Sequence, residues 1–302
     1  MPNEKIQGLV AAGFTPMNPD GSVNAPAIDH LAQFLIDSGV SGVFVCGSTG
    51  ESLSLTTEER KTCLDRWVKA CAGRIKVVAH VGHNSLPDAR ELAAHAQEVG
   101  ADAISAMPPT FFKPRTLDAL VDWCASLGDA APELPFYYYH IPGMTGVAFK
   151  MIDFLKVAEA RIPTLAGIKF TFSDLMDYRR CLTHAEGKFD ILFGADEIML
   201  AALAMGAKGF IGSTYNLTPS IYLKIIEAFN AGDLDEARRQ QSRSIEMVDR
   251  LIKLGGLPAF KVAMGLNGVD CGPIRAPFAQ LGDDDRAAVK QVWDDLELNK
   301  NQ

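Results

Sequence analysis

The chain has 302 residues, 48% of them hydrophobic, and a formal net charge of −8 with a pI near 5.3. Such a composition supports a large buried core and excludes a disordered chain. There is no basic run beyond scattered pairs such as Arg238-Arg239, which read as a solvated helix face, so the acidic balance also argues against a nucleic-acid partner.

No apolar run is long enough to span a bilayer. The opening Met1-Pro2-Asn3-Glu4-Lys5 lacks the charged head, long apolar stretch and small-residue cleavage site of a signal peptide. Cys46, Cys63, Cys71, Cys124, Cys181 and Cys271 show no paired spacing and read as reduced thiols, so a cytoplasmic location is expected.

Short apolar strands alternate with longer helical periodicities along the chain, the pattern of βα units and a parallel sheet. The first strand is predicted over 9–15, and the helix after it stops at Gly39. A second strand, over 42–46, runs into Gly47-Ser48-Thr49-Gly50-Glu51. Hydroxyls and successive backbone N–H groups between glycines suit a carboxylate there, although an ordinary turn or helix cap has the same composition. Thr56-Thr57-Glu58-Glu59 then opens a helix carrying Cys63, Leu64, Trp67 and Val68, and Gly73 closes it. Strand three, over 76–81, contains His80; it and His83 face opposite ways on an extended chain, which argues against a shared metal. Gly100 stops the next helix before strand four, over 103–107.

Strand five is predicted over 136–141, with Tyr137 and Tyr139 on one face and Tyr138 and His140 on the other. Tyr139, nearest the C-terminal end, is either a core residue or a phenol that reaches a ligand and relays protons. His140 is expected to point outward and hydrogen-bond under a helix. On strand six, over 166–171, Ile168 and Phe170 share one face while Gly167, Lys169 and Thr171 share the other. A lysine in so apolar a strand either snorkels to water from a sheet edge or is desolvated. Desolvation would lower its pKa and supply a free amine able to form a Schiff base with a ketone.

Strand seven, over 191–193, ends in Gly194-Ala195-Asp196-Glu197, two acids that either crown the sheet or cap a helix. Strand eight, over 209–211, ends in the hydroxyl-rich Gly212-Ser213-Thr214-Tyr215-Asn216, which with Thr171 could hold a polyol. Eight such units, stopped at positions such as Gly206 and lacking any Gly-x-Gly-x-x-Gly fingerprint, predict an α/β TIM (β/α)8 barrel. Helices predicted over 219–231, 234–254, 258–264 and 284–296 add a C-terminal helical extension, broken at Gly255-Gly256-Leu257-Pro258. The barrel is expected over 1–218, and the last barrel helix plus the extension over 219–302, packed as one domain with it. An extension of this kind packs on the barrel or supports an oligomer interface. A TIM barrel carries its site at the C-terminal strand ends. Lys169, Tyr139 and the loop after strand two all fall there.

The motifs Gly47-Ser48-Thr49-Gly50-Glu51, Tyr139-His140-Ile141-Pro142, Gly167-Ile168-Lys169 and Gly212-Ser213-Thr214-Tyr215-Asn216 carry a family likeness. From strand one to the C-terminal helices the chain resembles the N-acetylneuraminate lyase and dihydrodipicolinate synthase superfamily of class I, Schiff-base aldolases. The fuller strings Phe136-Tyr137-Tyr138-Tyr139-His140-Ile141-Pro142 and Phe193-Gly194-Ala195-Asp196-Glu197 look like the lyase branch, its animal members above all. Met144 stands where the synthases carry an arginine for their second substrate, and Phe111-Phe112 where they carry a tyrosine pair lent to a neighbouring site. His140 replaces the asparagine usual in the bacterial lyases.

The resemblance implies reversible cleavage of open-chain N-acetylneuraminate to pyruvate and N-acetyl-D-mannosamine, without metal or organic cofactor, by a homotetramer. It implies that Lys169 forms the Schiff base, Tyr139 moves protons, and Ser48 and Thr49 hold the carboxylate. Thr171, Gly194, Asp196, Glu197, Gly212 and Ser213 would form the sugar end. Another pyruvate-dependent aldolase, acting on a 2-keto-3-deoxy sugar acid, would use Asp196 and Glu197 equally well. A non-catalytic sialic-acid or pyruvate sensor is the remoter rival, and retention of both Lys169 and Tyr139 counts against it.

Overall fold

The computed structural model describes residues 4–298, so Met1, Pro2 and Asn3 of the opening segment and residues 299–302 of the extension lie outside it. Strands β1 (Gly8–Ala12), β2 (Gly42–Val45), β3 (Lys76–His80), β4 (Ala103–Ala106), β5 (Phe136–His140), β6 (Leu165–Phe170), β7 (Asp190–Phe193) and β8 (Gly209–Gly212) form a closed parallel barrel in sequence order. Closure is direct: Leu9 lies opposite Phe210 and Val10 opposite Ile211.

Helices α1 (Ala27–Asp37), α2 (Thr57–Cys71), α3 (Leu86–Glu98) and α4 (Leu117–Gly128) follow the first four strands. The single turn α5 (Pro142–Thr145) and α6 (Met151–Ala158) follow β5, and α7 (Leu175–Thr183), α8 (Met199–Met205) and α9 (Pro219–Asn230) follow β6 to β8. The extension comprises α10 (Leu234–Lys253), α11 (Leu257–Leu266) and α12 (Asp283–Asp295). At the start of α2 the expected cap is complete. Thr56 Oγ1 accepts the Glu59 N–H at 3.2 Å, and Glu59 Oε2 accepts the Thr56 N–H at 2.9 Å.

Strand alternation divides the apolar residues between two cores. Val10, Ala12, Phe44, Val78, Tyr137, Tyr139, Leu192 and Ile211 fill the barrel interior. Leu9, Ala11, Tyr138, Ile168, Phe170, Ile191 and Phe193 pack outward beneath the helices. Met247 and Leu251 of α10, Ala259 and Met264 of α11, and Val292 and Trp293 of α12 join that outer core. All six cysteines are buried and unpaired.

Some strand limits differ from expectation for local reasons. β1 ends at Ala12 rather than Thr15: the Gly13 N–H still reaches Phe44 O, at 3.1 Å, but Thr15 turns its hydroxyl to Gly50 O at 2.8 Å. β2 stops before Cys46 because that residue takes a left-handed φ of 54°, which no strand ladder accommodates. Register places Tyr139 of β5 opposite Lys169 of β6, and Lys169 opposite Leu192 of β7.

Candidate active site

Lys169 is not an edge residue, because a closed barrel has no edge. Period-two alternation turns its side chain inward, where it is 3% exposed. Its ammonium nitrogen lies 3.8 Å from the centroid of the Phe44 ring and 4.0 Å from that of Tyr139. Among the described residues no carboxylate forms an ion pair with it. Burial therefore governs its charge, pulling the pKa down to about 7, with the nearby Asp196 opposing the shift. The two aromatic faces favour the cation and so also oppose the shift.

Tyr139 is buried against Phe44 and His80, with ring centroids 5.5 Å and 5.8 Å away in edge-to-face arrangements. Burial pushes its phenol up to about 12, while a contact with Ser48 Oγ, 3.3 Å from its hydroxyl, works the other way. The ring is thus held as a neutral phenol at neutral pH. His80 stays neutral as well, its pKa pushed well down by burial and by Arg60. Its Nδ1–H donates to Cys46 O at 2.9 Å, and its Nε2 accepts the Met107 N–H at 3.4 Å.

Over the barrel mouth lies a cavity of about 510 Å³ lined by Ser48, Thr49, Tyr139, Lys169, Thr171, Gly194, Asp196, Glu197, Gly212 and Ser213. Every candidate residue named from the sequence borders this one space. Thr49 Oγ1 and Ser213 Oγ are hydrogen-bonded at 2.7 Å. Ser213, expected at the sugar end, also touches the loop after β2, because β2 and β8 both flank β1 and their loops meet above it. Thr171 Oγ1 is buried without a hydrogen-bond partner and borders the cavity.

Asp196 and Glu197 behave differently despite their adjacency. Glu197 is exposed at the rim. Asp196 is buried, and its Oδ2 accepts the Thr214 N–H at 2.9 Å and the Thr214 hydroxyl at 2.6 Å. Behind it the chain of bonds continues through Tyr222 to Ser244 on α10, whose hydroxyl donates to the Tyr222 oxygen at 2.8 Å. Burial raises the Asp196 carboxyl to about 6, against the Thr214 bonds and the attraction of Lys169. Two glycines make room for these groups. A Cβ on Gly212 would lie 1.8 Å from Asp196 Oδ1, and one on Gly194 would lie 2.1 Å from Thr171 Oγ1.

His140 faces outward as alternation requires, among Tyr138, Phe170 and Phe172. The hydrogen bond expected of it under a helix is missing at Nδ1, which is buried without a partner, and burial lowers its pKa to about 4. Sequence reasoning also missed the outer wall: Val248 and Ile252 of α10 and Phe260 of α11 cover the cavity from the extension, with Met144 and Phe172 at the mouth. An apolar helical face signals only that something is covered, not what. No cluster of potential metal ligands occurs among the described residues, and His80 and His83 do not converge on a site.

A model of the dihydrodipicolinate synthetase family matches residues 5–295. The N-acetylneuraminate lyase of Xenopus tropicalis is 41% identical over 98% of this chain and 98% of its own length, and that of Mus musculus 42% identical over 92% and 88%. The solved structure of the Proteus mirabilis N-acetylneuraminate lyase superposes with a TM-score of 0.96 at 41% identity, covering 98% of this chain and 100% of that one. The animal leaning read from the motifs has no counterpart in overall identity, which is the same for the frog and the bacterial protein. With nearly its whole length matched, the chain belongs to the dihydrodipicolinate synthetase family.

Proposed function

We propose that this chain is a class I aldolase that reversibly cleaves N-acetylneuraminate into pyruvate and N-acetyl-D-mannosamine. The observation carrying this is the buried Lys169 amine, held near a pKa of 7 and facing the Tyr139 phenol, with the Ser48-Thr49 loop beside them. The likeness to N-acetylneuraminate lyases over almost the full chain supports the choice of substrate.

Catalysis starts when the Lys169 lone pair adds to the ketone carbon of the open-chain sugar acid, whose carboxylate is held by Ser48, Thr49 and the loop backbone. Tyr139 gives its proton to the carbinolamine oxygen, which leaves as water, and an iminium remains between the Phe44 and Tyr139 rings. The Tyr139 phenolate then takes the proton of the fourth-carbon hydroxyl. As that oxygen becomes an aldehyde, the bond between the third and fourth carbons breaks and its electrons pass to the iminium, giving an enamine. Protonation of the enamine at the third carbon and hydrolysis of the resulting iminium release pyruvate and restore the amine. Thr171, Gly194, Asp196, Glu197, Gly212 and Ser213 hold the remainder of the sugar, its hydroxyls donating to the acids. No metal or organic cofactor enters these steps.

Incubation with N-acetylneuraminate tests the proposal. Pyruvate and N-acetylmannosamine are expected in equal amounts, whereas inertness toward this substrate with turnover of a 2-keto-3-deoxy sugar acid would move the chain to the rival aldolase class. The working form is further proposed to be a cytoplasmic homotetramer. Support comes from the Phe111-Phe112 pair, 78% and 85% exposed on one chain, from the unpaired buried cysteines, and from the lack, among the described residues, of a helix long and apolar enough to cross a membrane. Light scattering of the purified protein and fractionation of cells test those two points.

A further inference from the structure

The loop at the carboxylate end is bracketed by two residues in left-handed backbone, Cys46 with φ 54° and Glu51 with φ 59°. Residues bearing side chains occupy that region only where their surroundings compel it. At the first bracket the compulsion is the His80 Nδ1–H on Cys46 O. At the second it comes from the extension. Glu51 does not line the amine cavity; its Oε1 instead accepts Lys261 Nζ of α11 at 2.7 Å, with both side chains at most 2% exposed. Its Oε2 accepts the Arg275 N–H at 2.8 Å, and Lys261 donates again to Pro273 O at 2.8 Å.

We propose that Lys261 is a positioning residue for the keto-acid carboxylate, acting through Glu51 on Ser48 and Thr49. A buried ion pair is a poor device for stability alone, since an apolar pair of similar volume commonly does as well. Here it does two things an apolar pair cannot. It fixes the direction in which Glu51 leaves the loop, and so the backbone that presents the two hydroxyls. It also neutralises a carboxylate close in sequence to the groups that must receive another carboxylate, whose repulsion in a desolvated setting would be large. The neighbouring Phe260 lines the cavity, so one helix carries both a wall of the site and the anchor of its carboxylate loop.

This inference rests on the proposed role of Ser48 and Thr49, and its test separates the two. Borohydride trapping of pyruvate is measured against pyruvate concentration for the wild type, Lys261→Met, Glu51→Gln and the paired Glu51→Gln/Lys261→Met, alongside thermal melting. Lys261→Met is expected to raise the half-saturating pyruvate concentration about tenfold to hundredfold, the worth of a charge-assisted bond, with little change in the trapping rate at saturation. The paired variant is expected to melt near the wild type, because no uncompensated charge stays buried, yet to keep the weakened half-saturation. A paired variant that folds and binds pyruvate as the wild type does would overturn the proposal, showing the pair to be structural only. It keeps the test decisive should a single substitution unfold the chain. Failure of the wild type itself to trap pyruvate would instead strike at the function proposed above.

Discussion

Tyr139 and Lys169 are register partners on adjacent strands, and the lysine nitrogen lies 4.0 Å from the centre of the tyrosine ring. Parallel pairing fixes the height of the two residues on the barrel, and alternation fixes their common inward face. The amine and the phenol that the proposed chemistry needs are thus neighbours by topology, with no loop required to bring them together.

Tyr139→Phe keeps the ring that packs on Phe44 and His80 and deletes the hydroxyl proposed to relay protons. Turnover of N-acetylneuraminate is expected to fall by roughly a hundredfold to ten-thousandfold, with pyruvate binding retained. Steady-state kinetics beside equilibrium binding checks this, and near-normal turnover would return Tyr139 to a packing role.

The burial of Lys169, the proposed nucleophile, also bears on stability. Its pKa of about 7 in the fold lies below the ordinary 10.5 of an exposed lysine. Between those values the unfolded chain holds a proton that the folded chain lacks, so this group's contribution to stability rises with pH across the window and is at its poorest below about 7. Two results are expected: kcat/KM climbing as pH rises through about 7, and Lys169→Met melting above the wild type at neutral pH while losing all turnover. Denaturation of both proteins across pH measures the second; a Lys169→Met variant no more stable than wild type would show that the ammonium is well solvated.

Glu197→Gln keeps the shape of an exposed rim acid but weakens it as an acceptor. Since a hydrogen bond to a charged group is typically worth about 1.5–3 kcal/mol, kcat/KM for N-acetylneuraminate should drop roughly tenfold to hundredfold, with pyruvate trapping unchanged. Asp196→Asn acts on more: it disturbs the Thr214 bonds and removes the charge that holds the Lys169 pKa up, so the acid limb of the pH profile should move to lower pH. If neither substitution changes kcat/KM, these acids take no part in holding the sugar.

Condensation of pyruvate with aspartate semialdehyde should be negligible. Met144, exposed at the cavity mouth, offers no charge to a second carboxylate where an arginine could grip it with two parallel bonds. Efficient turnover in a coupled assay would contradict this.

The barrel was legible because its strands announce themselves twice, through alternation and through the glycine and hydroxyl loops at their ends. Lys169 could be singled out because an ammonium among Ile168, Phe170 and Leu165 is costly anywhere but at a site. The walls were less legible. Val248, Ile252 and Phe260 look like any apolar helical face, and only the packing of α10 and α11 across the barrel mouth makes them part of the cavity. The different environments of Asp196 and Glu197 also escaped notice, since adjacency in sequence says nothing of the Thr214 hydroxyl that waits on β8's loop. The Glu51–Lys261 pair joins residues far apart in the chain, beyond the reach of any local pattern.

The most direct test of the account is where pyruvate attaches. The protein is incubated with pyruvate, reduced with borohydride, digested and mapped by mass spectrometry. The expected result is loss of activity with one reduced pyruvyl group, located on Lys169. Attachment to another lysine, or full activity with no adduct, would contradict the assignment of this buried amine as the Schiff-base nucleophile.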